Sequence, residues 1–197
     1  MTDASPGKAP SLAASLLRGS LGFAAVSLLA YAVWAFSGKR LSARVGEGGF
    51  YALVAAVFLG LSGLALHPLV PGPNSFRRFM KAFVPAFLAY TAVWCAAWFA
   101  LRFGWGEWLG SLGGSVAFAL VVGWSLGNLR PLVPAALLLF VTHSAGYFLG
   151  GPLHYRSGPQ HHVLGILGWG LLYGLGFGAG IGYAFYAFQK RPAKSKT

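Results

Sequence analysis

Acidic residues are almost absent from this 197-residue chain. Only Asp3, Glu47 and Glu107 occur, in the N-terminal tail or near the ends of apolar segments. Ionisable residues inside a membrane mark ion and proton pathways, and coupled transporters use carboxylates there. The sequence therefore excludes the usual carboxylate machinery of proton- or sodium-coupled transport.

Cysteine is also nearly absent, since Cys95 is the only one. A disulfide within the chain and a thiolate metal cluster each need at least two cysteines, so both are excluded. Charged residues make up 9% of the chain, against about 25% in a typical soluble domain. The composition leaves no room for a separate soluble domain.

Hydrophobic residues fill 56% of the chain and form six continuous apolar runs. The runs cover residues 21–36, 50–66, 83–103, 108–129, 132–149 and 162–188. Each is close to the ~20 residues that a transmembrane helix needs, whereas a membrane β-barrel would show alternating segments of about ten residues. The predicted fold is an all-α integral membrane protein with six transmembrane helices in residues 21–188. A polar N-terminal tail over 1–20 and a basic C-terminal tail over 189–197 are predicted to flank them.

The net charge of +12 comes from Lys and Arg in loops and tails. These residues lack the interleaved aromatics of a nucleic-acid groove, so the expected partners are the lipid bilayer and anionic headgroups, not nucleic acid. Ten of the 15 fall on the side that holds both ends of a six-span chain, which predicts cytoplasmic termini in the inner membrane. Lys39, Arg40 and Arg44, in the first loop, oppose that orientation.

Two similar peptides suggest an internal duplication of a two-helix unit. Residues 60–71 and 123–134 share Gly, Ser, Leu, Pro, Leu, Val and Pro at identical spacing. The runs that follow contain Val84-Pro85-Ala86 and Val133-Pro134-Ala135. Parallel repeats occur in transporters, although a small apolar alphabet and the use of proline at helix starts also produce such matches.

Glycine is concentrated in the sixth run. Gly170, Gly174, Gly178 and Gly182 recur every four residues and form one helical stripe, in the manner of a glycine zipper. Glycine lets neighbouring helix backbones approach closely. We expect tight packing within the bundle or across an oligomer, and a flexible gating helix or a pore lining is the alternative.

His143 is the one ionisable residue placed well inside a predicted span, and Tyr147 follows one turn later. A buried imidazole needs a hydrogen-bond partner, and ionisable residues at depth are candidate functional residues. Trp94 and Trp98 share a helix face with Tyr90 and can stack a flat ligand such as a quinone, a pigment or a lipid ring. We predict that His143, Tyr147, Trp94 and Trp98 bind a ligand, unless His143 merely joins two helices and the tryptophans pack against lipid or core.

Three more histidines, His154, His161 and His162, follow the fifth run. With His143 they are weak candidates for a metal site or for axial haem ligands. Their spacing matches no strong metal template, and no carboxylate supports them. The cofactor is therefore unknown, and ordinary loop histidines are expected.

Two short segments resemble the motifs of rhomboid intramembrane proteases. Residues 60–63, Gly-Leu-Ser-Gly, resemble their nucleophile motif, and His143-Ser144-Ala145-Gly146 resembles their histidine helix. The resemblance implies Ser62 as nucleophile and His143 as its base. The chain departs from that family because the serine lies in an early run, no HxxxN oxyanion motif occurs, and the pair is poorly spaced. We therefore expect no serine-protease chemistry.

Three functions remain open at this point. The first is a membrane protein that binds or transports an apolar or weakly polar small molecule or lipid. The second is a non-catalytic accessory subunit, which uses the glycine stripe to join a homo-oligomer or a larger membrane complex. The third is an intramembrane hydrolase.

Overall fold

The computed structural model describes residues 10–101 and 104–190, which form five long helices. They are α1 Leu12–Leu66, α2 Ser75–Leu101, α3 Trp105–Ser125, α4 Leu132–Tyr155 and α5 His162–Gln189. Short 3-10 helices cover His67–Leu69 and Pro159–His161, and the described part of the chain contains no strand. All five long helices have the length and composition to cross a membrane. The predicted all-helical architecture is confirmed for the described residues, and the length and composition of these helices support a multi-pass membrane protein.

The structure has five long helices where the sequence predicts six, so the six-span count is not confirmed. The difference lies in α1, which joins the first two apolar runs into 55 residues. A straight helix of that size would be about 80 Å long, more than twice the ~30 Å hydrocarbon core. The helix is not straight, because Gly46 has φ 75° and ψ 168°, far from helical values. Glycine adopts positive φ without the steric penalty that a side chain brings.

The two arms of α1 fold back on each other across Gly46. We call residues 12–45 the first arm and residues 47–66 the second arm. Phe23 of the first arm stacks on Phe58 of the second, with ring centroids 5.7 Å apart. A Cβ on Gly22 would lie 2.8 Å from the Leu66 side chain, and one on Gly38 would lie 3.7 Å from Phe50. Later residues of one arm meet earlier residues of the other, so the arms run antiparallel.

The helix boundaries differ from the apolar runs at both ends of the chain. α1 begins at Leu12, because Ser11 caps it by accepting a 3.2 Å hydrogen bond from the amide of Ala14. Residues 12–20, assigned to the polar tail, are therefore helical, and Ser15 is buried. α5 ends at Gln189. The remainder of both predicted tails, residues 1–9 and 191–197, lies outside the described residues, as do residues 102–103 at the end of the third run.

α5 packs against the first arm of α1 along the glycine stripe. A Cβ on Gly178 would overlap the carbonyl oxygen of Gly19, and a Cβ on Gly170 would lie 2.6 Å from the ring of Tyr31. The hydroxyl of Ser27 donates to the carbonyl oxygen of Gly170 at 2.7 Å across the same interface. The stripe is therefore covered within the chain, by α1.

The opposite face of α5 packs against α4 through a second pair of glycines. A Cβ on Gly176 would overlap the carbonyl oxygen of Thr142, and a Cβ on Gly180 would lie 2.8 Å from the Cα of Leu139. α3 packs between α2 and α4. Buried phenylalanines fill the centre of the bundle, and Phe177 of α5 lies with its ring centroid 4.7 Å from that of Tyr90 of α2.

The two similar peptides adopt different local structures, and the duplication is not confirmed. Pro68 lies in the 3-10 helix after α1, whereas Pro131 caps the start of α4. Pro85 lies in the interior of α2, about ten residues after its first residue, whereas Pro134 lies in the first turn of α4.

Candidate functional site

A cavity of about 490 Å³ lies among α2, α3 and α4. Its walls are Trp94, Cys95, Trp98, Phe99, Glu107, Tyr147 and Tyr155. Three of the four predicted ligand-binding residues, Trp94, Trp98 and Tyr147, are brought together here. The rings of Trp94 and Tyr147 meet edge to face with centroids 5.9 Å apart. The wall is mostly aromatic, and one carboxylate interrupts it.

The tryptophan wall is positioned by a third glycine face, on α3, which the sequence-based predictions did not include. Gly106, Gly110 and Gly114 recur every four residues and face α2. A Cβ on Gly110 would lie 3.1 Å from the carbonyl oxygen of Trp94, and one on Gly114 would lie 2.8 Å from the ring of Tyr90. Without side chains at these positions the two backbones approach closely. The spacing of four residues between these glycines is visible in the sequence and predicts such a face.

Glu107 is the residue of the site that sequence reasoning missed. It lies half-buried in the first turn of α3, where the positive end of the helix dipole favours a negative charge. The hydroxyl of Tyr147 donates a 3.2 Å hydrogen bond to Oε1 of Glu107. This bond holds the carboxylate against the cavity wall. Two features of the sequence point to Glu107 as a candidate site residue. It lies between Trp105 and Trp108, and the chain has only three acidic residues.

His143 lies behind the cavity wall, not in it. Its side chain is 1% exposed, and its Nε2 forms a 2.6 Å hydrogen bond with the hydroxyl of Tyr90. The imidazole stacks on the ring of Tyr147, with centroids 5.8 Å apart and planes at 21°. Nδ1 has no hydrogen-bond partner among the described residues. His143 therefore reaches the cavity only through Tyr147, whose hydroxyl in turn holds Glu107.

The electrostatic environment of the cavity is one-sided. Among the described residues, Glu107 is the one acidic or basic side chain in the wall. A neighbouring cavity of about 330 Å³ shares Glu107, Tyr147 and Tyr155 and has Arg156 in its own wall. Within the described residues, the first cavity therefore offers a ligand one negative charge, and the positive charge of Arg156 lies in the wall of the neighbouring cavity.

The three histidines that were expected in a loop do not converge on one point. His154 lies near the end of α4, His161 in the second 3-10 helix and His162 at the start of α5. The rings of His154 and His162 have centroids 5.1 Å apart, and His154 also stacks on Trp169 at 5.6 Å. His161 is exposed. Within residues 10–101 and 104–190, no group of three or more His, Cys, Asp or Glu side chains is arranged to hold a metal ion.

Ser62 and His143 do not form a nucleophile–base pair in the described structure. The hydroxyl of Ser62 is buried without a hydrogen-bond partner there, and Nε2 of His143 is bonded to Tyr90. A serine nucleophile is activated by a base within hydrogen-bond distance. The geometry therefore offers no support for the hydrolase alternative.

The cavity lies at the end of the bundle opposite the described chain ends. Trp98 is near the end of α2, Glu107 begins α3 and Tyr155 ends α4. The ends of α1 and α5 that hold Leu12 and Gln189 lie together at the other face, because Ser15 contacts Gly182.

No protein-family model, curated protein or solved structure matches this chain.

Proposed function

We propose that this protein binds a small apolar or weakly polar molecule or lipid in the cavity beside Tyr147 and moves it across or within the membrane. One observation carries the proposal: Trp94, Trp98 and Tyr147, from two different helices, line a single cavity of about 490 Å³. That volume falls within the ~300–1,000 Å³ range of ligand pockets, and such pockets are mostly apolar with a few polar groups. The cavity meets both conditions.

The proposed topology has six spans, with the two arms of α1 as separate crossings. The antiparallel arms and the backbone reversal at Gly46 support this count. An even count puts both termini on one side, and the ten-to-five distribution of Lys and Arg favours the cytoplasm for that side. The cavity then lies at the outer face of the inner membrane.

The test compares two tryptophan variants of the protein purified in its native lipid. Trp98→Ala opens the cavity wall, whereas Trp105→Ala removes a ring that is 78% exposed and outside the wall. We expect at least one small molecule or lipid to co-purify with the parent and with Trp105→Ala. Trp98→Ala should retain about tenfold less of it, equivalent to about 1.4 kcal/mol of binding.

Mass spectrometry and an absorption spectrum of the extracted material provide the measurement. A co-purified set that is identical in the parent and in Trp98→Ala would contradict the proposal. Melting curves of the two variants serve as the control, because a loss of ligand counts only where both remain folded.

One observation argues against the alternative that this protein is an accessory subunit. It requires the glycine stripe as an intermolecular surface, and that stripe lies against the first arm of α1. A complex that used it would first have to separate α1 from α5.

A further inference from the structure

Among the described residues, the cavity wall combines aromatic rings with a single carboxylate. The rings come from Trp94, Trp98, Phe99, Tyr147 and Tyr155, and the charge comes from Glu107. The faces of aromatic rings carry negative electrostatic potential, so they attract cations, and rings that enclose a cation form the usual recognition site for alkylated ammonium groups. The potential of the rings and the charge of Glu107 therefore have the same sign.

We infer that this cavity binds the alkylated ammonium group of an organic cation, with Glu107 as counter-ion and the tryptophan and tyrosine faces as cage. The inference rests on the proposed function and names the chemical class of its ligand. A molecule with an apolar body and such a head group fits both the apolar wall and the carboxylate.

The hydrogen bond and the helix position of Glu107 suit it to act as a counter-ion. The Tyr147 hydroxyl occupies one lone pair of the carboxylate and fixes its direction, and the remaining oxygen positions are left to accept a ligand. The first turn of α3 stabilises the negative charge when the cavity is empty. Tyr147 thus joins both parts of the cage, since its ring is in the wall and its hydroxyl holds the acid.

Other ligand classes fit the wall less well. Calcium takes six to eight oxygen ligands, and the wall offers one carboxylate and two phenol oxygens. An anion would be repelled by Glu107, and an uncharged molecule would gain only a hydrogen bond from it, without the charge attraction. A strongly hydrated inorganic cation would lose its water shell to rings that cannot replace it. The alkylated ammonium is weakly hydrated and gains from every group present.

Calorimetric titration of the full chain in phosphatidylglycerol nanodiscs tests the inference. Choline is the charged probe, and its uncharged tert-butyl isostere, with carbon in place of nitrogen, is the control ligand. We expect choline to bind at least about tenfold more tightly than the isostere. Glu107→Gln keeps an acceptor for Tyr147 but removes the charge, so choline should lose most of its advantage over the isostere, and the isostere should be unaffected.

The matched control is Glu47→Gln. It removes an exposed carboxylate that follows the reversal at Gly46, outside the cavity, and both affinities should stay within about twofold. Should Glu107→Gln fail to fold, Trp98→Leu keeps bulk but removes an aromatic face, and it should weaken choline more than the isostere.

Equal affinity of choline and its isostere, unchanged by Glu107→Gln, would overturn the inference. The proposed function would survive that result if binding of the isostere were still lost in Trp98→Ala.

The source of the ammonium group is decided by repeating the titration in phosphatidylcholine nanodiscs. Weaker apparent choline binding there indicates a lipid head group as ligand, and unchanged binding indicates a free cation.

Discussion

At the scale of single residues, a series of aromatic and polar contacts connects the buried His143 to the cavity. His143 stacks on Tyr147, and Tyr147 holds Glu107. The apolar surroundings make each unpaired polar atom costly, because apolar side chains cannot replace a lost hydrogen-bond partner. The 2.6 Å bond between Tyr90 and His143 should therefore contribute measurably to stability.

Tyr90→Phe tests that contribution. The change leaves the buried Nε2 of His143 without its partner, which should lower stability by about 1–3 kcal/mol and lower the melting temperature in detergent. Replacing both partners, as Tyr90→Phe with His143→Leu, should recover part of the loss because no unpaired polar atom remains at Nε2. Tyr51→Phe, at an exposed ring, is the control. A double variant less stable than Tyr90→Phe would contradict a role limited to that bond.

Residue chemistry alone predicted part of this site. Helical spacing and ring type group Trp94 with Trp98 on one helix and Tyr147 with His143 on another, but they do not show that the two helices bring these groups together. Glu107 could not be grouped with them, because its proximity to Tyr147 depends on how α3 packs on α2 and α4, which spacing within one helix does not determine. His143 was placed at depth, but only the packing puts it behind the wall.

At the scale of helices, glycine determines which elements pack most closely. α5 uses one face against α1 and another against α4, while α3 uses a third glycine face against α2. The sequence pattern predicted tight glycine packing of the last helix but could not name the partner helices. The sequence pattern also could not show that α1 continues through Lys39, Arg40 and Arg44. Charged residues between two apolar runs indicate a loop, but the backbone remains helical up to Gly46.

Gly178→Ile tests the α1–α5 interface. The added side chain would overlap the backbone of Gly19, which cannot rotate away as a side chain can, so the cost should exceed the ~1–3 kcal/mol typical of overpacking. The expected result is a lower melting temperature in detergent. Gly60→Ile is the matched control, because nothing lies within 4 Å of a Cβ at Gly60. Equal melting of the two variants would show that the Gly178 contact does not hold the bundle together.

At the scale of the whole molecule, the fold places the cavity and the described chain ends at opposite ends of the bundle. The reversal at Gly46, the end of α2, the start of α3 and the loop after α4 all lie at one end, and the cavity lies there too. The described ends of α1 and α5 lie at the other. One assignment of sidedness therefore fixes the orientation of the termini and of the ligand site together.

Single-cysteine labelling tests this orientation, because Cys95 is the chain's only cysteine. In a Cys95→Ala background, Gly48→Cys and Gly158→Cys should react with a membrane-impermeant maleimide added outside intact cells. Asn74→Cys, in the α1–α2 connection, should react only after the membrane is opened. This follows from six crossings with cytoplasmic termini, since Gly48 and Gly158 then share the outer face. If α1 crossed only once, Gly48 would not share the accessibility of Gly158, and labelling of one without the other would contradict the six-span topology.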